Sequence, residues 1–253
     1  MVDRSRLGGL ADHPRWRTKV SATTTNACYR CGEPATTREH FPPKAFFPRG
    51  GNLQLRTVSS CIEHNNGKSK DDQYLLTHIC LHAAEGGNLP GQVFRRSILP
   101  ALERSPGFRD LMNDGAEWLE RGVRRYPVDT RRFDGFFDGF VHAIFFDRYG
   151  VRLTTATHRM RHVYSSLVSD DPSHRIEVAH AKWMTGRFFA EHETMVSRFE
   201  AAGIDDAVYS NAIVDPAGTE LSITIAHVFY GVFEVVSLLT RIPPNDPLVQ
   251  PAT

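Results

Sequence analysis

The chain has 253 residues, 41% hydrophobic and 23% charged, the balance of an ordinary globular protein. No apolar run approaches the ~18–20 residues that a bilayer span requires, and the first 25 residues carry Arg4, Arg6, Arg15, Arg17 and Lys19 without the apolar core of a signal peptide. A cytoplasmic protein without a membrane segment is expected.

The net charge of +1 conceals a division. Residues 1–70 hold 12 Lys or Arg against 5 Asp or Glu, a balance of +7, whereas residues 71–253 hold 18 against 24, a balance of −6. A cationic segment beside an acidic remainder fits a confined surface for a polyanion. Residues 1–25 read as a basic arm with too few apolar residues to order it.

The four cysteines are Cys28, Cys31, Cys61 and Cys80. Without signs of export, metal binding is a better expectation for them than disulfides. Cys28 and Cys31 form a Cys-x2-Cys pair, and 29 intervening residues lead to Cys61 and His64, a Cys-x2-His pair. Two such half-sites, each on one tight turn, suit a structural zinc with four tetrahedral ligands. Cys80 has helical spacing with Leu76, Ile79 and Ala83 and reads as core. Alternation before His40 and again from Leu53 to Val58 predicts two short strands, and the segment from Cys61 into Leu76 predicts a helix.

Cys28 and Cys31, Glu39-His40 followed by Pro42-Pro43, Cys61 with His64, and Asn65 with Lys68 together resemble the HNH endonuclease family in its zinc-stapled form, over roughly residues 26–80, within a nuclease module expected at 26–85. The second pair is usually Cys-x2-Cys there, so His64 is a departure. The family's middle asparagine would fall near Arg56, with Asn52 the nearest candidate. The resemblance implies a ββα-metal fold and hydrolysis of DNA phosphodiesters to 5′-phosphate and 3′-hydroxyl ends. It implies His40 as general base and a catalytic Mg2+ or Mn2+ on Glu39 and Asn65, with Ser69, Asp71 or Asp72 as a third ligand. The setting expected for such a module is a bacterial defence system or a mobile element.

The chemistry is reasonable on its own terms. A neutral histidine takes a proton from water near pH 7, oxygen donors suit Mg2+ or Mn2+, and thiolates suit zinc. On a strand, Glu39 and His40 point to opposite faces, so one of them must stand at a strand end or a bulge if both serve one site. Arg38, Lys44, Arg49, Arg56, Lys68 and Lys70 are the cations expected to meet DNA phosphates. The competing expectation is a zinc module without catalysis that binds nucleic acid or a protein partner.

Residues 86–253 form the expected accessory part, of unassigned role, open to a partner protein or to self-association. Helical periodicity is expected from Val93 to about Arg125, with a helix from Pro106 through Trp118 and Leu119, then from Phe133 to Tyr149 and across 173–203. Strands are expected at Ala207–Val214, Glu220–Phe229 and Val232–Leu239, with turns at Asp215–Gly218 and Gly231, as a small antiparallel sheet backed by the 173–203 helix. The predicted class is therefore α+β: a zinc-bound ββα-metal, treble-clef-like module followed by a mainly helical domain with that sheet.

Overall fold

The computed structural model describes residues 26–242 apart from Asn52, Gln54, Lys68 and 216–221. The basic arm, Lys68, the Asn52 position and most of the 215–218 turn lie outside the described residues. Strands β1 (Thr37–Phe41) and β2 (Arg56–Ser60) form an antiparallel hairpin in which Thr37 faces Ser60 and Phe41 faces Arg56. Helix α1 (Ile62–Asn66) follows, then α2 (Ser69–Ala83), whose Tyr74, Leu75, Leu76, Ile79 and Cys80 are buried. The hairpin-then-helix order matches the sequence expectation, and Cys80 is a core residue.

The next stretch is more broken than its periodicity predicts. Helices α3 (Leu89–Val93) and α4 (Leu99–Arg104) flank a π-helical turn at Phe94–Ile98, and α5 (Pro106–Asn113) starts at Pro106 as expected, with Ser105 capping the Phe108 amide. Helix α5 ends before Trp118 and Leu119, which belong instead to a small hairpin of β3 (Glu117–Trp118) and β4 (Arg124–Arg125). Gly115, at φ +65°, turns the chain out of the helix there. Apolar spacing continues past this point, but the extended backbone of Asp114 ends the helix and Gly115 then turns the chain.

Helix α6 (Thr130–Tyr149) is capped by Asp129 at its start and by Gly150, at φ +70°, at its end. Its Phe133, Phe136, Phe137, Phe140 and Phe145 are all at most 1% exposed. Strands β5 (His158–Tyr164), β6 (Thr194–Ala201), β7 (Ile204–Val214), β8 (Ser222–Phe229) and β9 (Phe233–Arg241) build one antiparallel sheet in the order β5-β9-β8-β7-β6. The sheet is larger than the three strands expected. The predicted 173–203 helix is α7 (Pro172–Glu191), and eight of its last predicted residues form β6 instead. Tyr230 (φ +50°) and Gly231 (φ +74°) make the expected tight turn between β8 and β9.

The sheet lies between α6 and α7. Val163 and Val236 pack on Ala181 of α7, while Phe137 and Phe140 of α6 stack against His227 and Phe229 on the other face. The N-terminal part does not stop at residue 85 in space. Phe46 lies 6.0 Å from Phe136 and 5.3 Å from Phe229, and the Tyr230 hydroxyl donates to the Phe46 carbonyl at 2.6 Å. Phe41, Leu75, Phe133, Tyr209 and Leu239 belong to one continuous core, so the boundary at 85/86 divides the sequence while both parts share that core. Among the described residues no helix is long and apolar enough to cross a membrane.

A polar network runs through this core. Tyr209 hydroxyl meets His227 Nδ1 (2.7 Å), His227 Nε2 meets Ser237 Oγ (2.9 Å), and the same Oγ meets His162 Nδ1 (2.8 Å), whose Nε2 faces Asp138 (3.1 Å). Asp138, His162 and Ser237 have the composition of a nucleophilic triad, but Ser237 is fully buried and no substrate can reach it. The network satisfies polar groups that the core would otherwise strand.

Burial holds several histidines neutral. It lowers the His78 imidazole to about 4, lowers His142, and lowers fully buried His227 furthest. The unfolded chain takes up these protons below about pH 6.5 and the folded chain refuses them. Stability is therefore complete above pH 6.5 and declines as the pH falls toward each folded-state value, by about 1.4 kcal/mol per pH unit per histidine. His78→Leu should make the urea-unfolding free energy less pH-dependent between pH 6.5 and 4 by one such share; identical slopes in variant and wild type would refute the assignment.

Candidate metal centre and the adjoining hairpin

The first knuckle is a tight turn closed by main-chain bonds. Cys28 N donates to Glu33 O (2.7 Å), Gly32 N donates to Cys28 O (3.1 Å), and Tyr29 N reaches Ser59 O of β2 (2.8 Å), which joins the knuckle to the hairpin. Gly32 sits at φ +84°, and a Cβ there would come within 2.0 Å of the Arg152 guanidinium. The left-handed backbone favours glycine, and a side chain there would displace the Arg152 guanidinium that covers it.

The second knuckle is the start of α1. Cys61 is its N-cap, Asn65 N donates to Cys61 O (3.1 Å), and one turn brings His64 Nδ1 to 3.2 Å from Cys61 Sγ. Across the knuckles, Cys28 Sγ lies 3.6 Å from His64 Nδ1 and Cys31 Sγ 3.9 Å from Cys61 Sγ. All four donor atoms lie within 4.8 Å of one another. A tetrahedral zinc with Zn–S of about 2.3 Å separates its sulfurs by about 3.8 Å. The four donors thus fit a metal ion such as zinc in number, type and spacing.

Electrostatics agree with the geometry. Burial pushes the Cys28 thiol up, but the main-chain N–H groups of Cys31, Cys61 and Arg30 outweigh it, and the thiol is lowered to about 6. A thiolate is thereby favoured where a cation is to sit. Helix α1 buries none of its residues. Its position depends on the Cys61–His64 half-site and on Asn65, whose Nδ2 donates to the Arg38 carbonyl (3.3 Å).

The other site residues divide between the two faces of β1. Glu39 is 3% exposed on the buried face with Phe41 and is paired in register with Val58. Burial first, and then the charges of Glu39 and Asp72, push the neighbouring Tyr29 phenol well up, against the pull of Arg30. Asp71 turns instead to Arg132 (3.0 Å), and Ser69 is exposed at the start of α2.

His40 is half-buried on the opposite face, in register with Thr57. Burial, then the charges of Lys44 and Arg38, lower its imidazole and keep it neutral. The β1–β2 register runs unbroken from Thr37 to Phe41. No bulge therefore turns Glu39 toward His40, and the expected pairing of the two around one ion is not assembled. Among the described residues, the Cys28–Cys31–Cys61–His64 group is the only cluster of three or more His, Cys, Asp or Glu donors close enough to share an ion.

Of the expected phosphate contacts, Arg38 and Lys44 are exposed beside His40, and Arg49 and Lys70 are exposed elsewhere on the module. Arg56 is already engaged by Asp147 of α6 at 2.5 Å. Tyr29 and Arg152 escaped the sequence reading. Tyr29 stands inside the Cys-x2-Cys pair, the one local signal that could have marked it, whereas Arg152 reaches the knuckle only through the fold.

No protein family, curated protein or solved structure matches the chain.

Purified protein should carry one zinc per chain by elemental analysis. Cys28→Ser and Cys61→Ser should lose it and unfold about 10 °C lower, the size of shift expected for ~3–5 kcal/mol in a chain of this length. His64→Cys should retain zinc, since a thiolate can take the fourth position. Metal content unchanged in Cys61→Ser would exclude this centre.

Proposed function

We propose that the chain is a metal-dependent endonuclease of the HNH type acting on DNA. The observation that carries this reading is the placement of His40: a neutral imidazole between exposed Arg38 and Lys44, on a hairpin whose sequence neighbours form a Cys3His centre. In the proposed mechanism Arg38 and Lys44 hold the scissile phosphate, and their fixed charges favour its transition state. His40 accepts the proton of the attacking water.

The Cys3His centre is structural in this reading, since four protein ligands leave no open position for substrate. Asn65, docked on the Arg38 carbonyl two residues before His40, would offer its Oδ1 to a hard cation, with Glu39 as the carboxylate ligand. Such a Mg2+ or Mn2+ ion would supply charge neutralisation at the cleaved phosphate.

The separation of Glu39 from His40 favours a second reading, a zinc module that binds nucleic acid or a protein without cutting. Conversion of supercoiled plasmid to nicked circle, with Mg2+ or Mn2+ and with EDTA, separates the two. The nuclease reading expects cation-dependent nicking that His40→Ala reduces at least about 100-fold, the scale of general-base catalysis, with zinc content unchanged. Asn65→Ala should also lower the rate. A wild-type protein that binds plasmid and never nicks it would establish the second reading.

Charge provides an independent check. If Arg38 and Lys44 meet phosphates, Arg38→Ala and Lys44→Ala should each flatten the plot of log K against log salt by about 0.9 for duplex DNA. Both should weaken all sequences alike, because phosphate contacts position the duplex without reading it. Arg56→Ala, already paired with Asp147, should leave the slope unchanged.

A further inference from the structure

The register of the five-stranded sheet places an unassigned cavity at the end of the β5–β9 pair. Ser165 N donates to Glu234 O (3.1 Å), one step beyond the Tyr164–Val235 pair. Two residues back, Val163 and Val236 face α7. By the period-two alternation of strands, Ser165 and Glu234 look out on that same side. A cavity of about 470 Å³ opens there, walled by Val178 and Lys182 of α7, by Leu167, and by His82 from the last turn of α2. Its size is that of a small-molecule site.

Two polar atoms in this cavity have no protein partner. One is Ser165 Oγ, on a residue 2% exposed, and the other is Glu234 Oε2. The adjacent Ser166 hydroxyl shows what completion looks like: it accepts from Glu234 N (2.9 Å) and donates to the Val232 carbonyl (3.3 Å). A buried hydrogen-bonding atom left unpaired is unfavourable, so a partner from a ligand is gained at little cost. Burial raises the Glu234 carboxyl against the opposing charge of Lys182, and burial followed by that same charge lowers His82. Lys182 thus acts on both groups, yet among the described residues no ion pair joins it to Glu234. The fold holds a cation and a carboxylate apart across a cavity, with a hydroxyl and a neutral imidazole beside them.

We propose that this cavity binds a small zwitterion of the α-amino-acid class with an aliphatic side chain, its ammonium on Glu234 and Ser165 and its carboxylate on Lys182 and His82. The lining carries no net charge, so a ligand of zero net charge leaves no charge unbalanced. Leu167 and Val178 supply the apolar wall for the side chain. The site is separate from the metal centre and does not depend on the nuclease reading.

The test is calorimetric titration of the full-length, zinc-loaded protein with L-leucine, L-isoleucine and L-valine. At least one should bind at concentrations up to about 10 mM, and Glu234→Gln and Lys182→Met should each weaken it about tenfold or more, the scale of a lost charge-assisted hydrogen bond. Leucinamide, which lacks the carboxylate, and 4-methylpentanoate, which lacks the ammonium, should bind wild type at least about tenfold more weakly than leucine; this arm needs no variant to fold. No heat from any of the three amino acids, binding equal in both variants, or analogues as tight as leucine would each overturn the proposal.

Discussion

Helix α6 must bury five phenylalanines, and no single partner can cover them. The helix lies across the sheet on one side and takes Phe46, from the loop after β1, against Phe136 on the other. That demand fuses the N-terminal hairpin to the C-terminal sheet, and the Tyr230–Phe46 hydrogen bond and the Arg56–Asp147 pair are laid down along the contact it creates. Full burial of each such side chain is worth about 1.5–3 kcal/mol, well above what the exposed ion pairs around it supply.

The metal centre solves a different problem. The first knuckle is anchored in the core by Tyr29, but helix α1 buries no residue at all. Ligation of one ion by four donors compensates for packing that so short a segment cannot provide. It also sets the hairpin: Tyr29 N bonded to β2 and Asn65 bonded to β1 tie both knuckles to the strands that present His40. An ion held there would therefore fix the position of the hairpin.

Neutral histidines recur in three surroundings. His40 is held neutral at a cationic surface, His227 within a closed polar network, and His78 between the rings of Tyr74 and Phe133. Burial is the first cause each time, but of these three only His40 is partly exposed, with cations beside it. Accessibility, more than the shift itself, separates a group that can exchange a proton with substrate from one that only makes the fold sensitive to acid.

What the sequence determined by itself is local. The Cys-x2-Cys and Cys-x2-His spacings place two ligands on one turn whatever surrounds them, Pro106 and Ser105 start a helix, and the Tyr230–Gly231 corner closes a hairpin. All of these depend on bonds spanning four residues or fewer. The strands β5 and β6 escaped that reading because their polar, charged residues carry weak alternation, and they are strands only because β9 and β7 offer them edges. The tertiary structure alone decided that residues 26–85 share a core with α6, that Asp147 occupies Arg56, and that Arg152 closes over Gly32. It also decided that Glu39 and His40, adjacent in sequence, leave β1 on opposite faces. An unbroken strand register turns successive side chains to opposite faces, and this hairpin has no bulge to bring the two together.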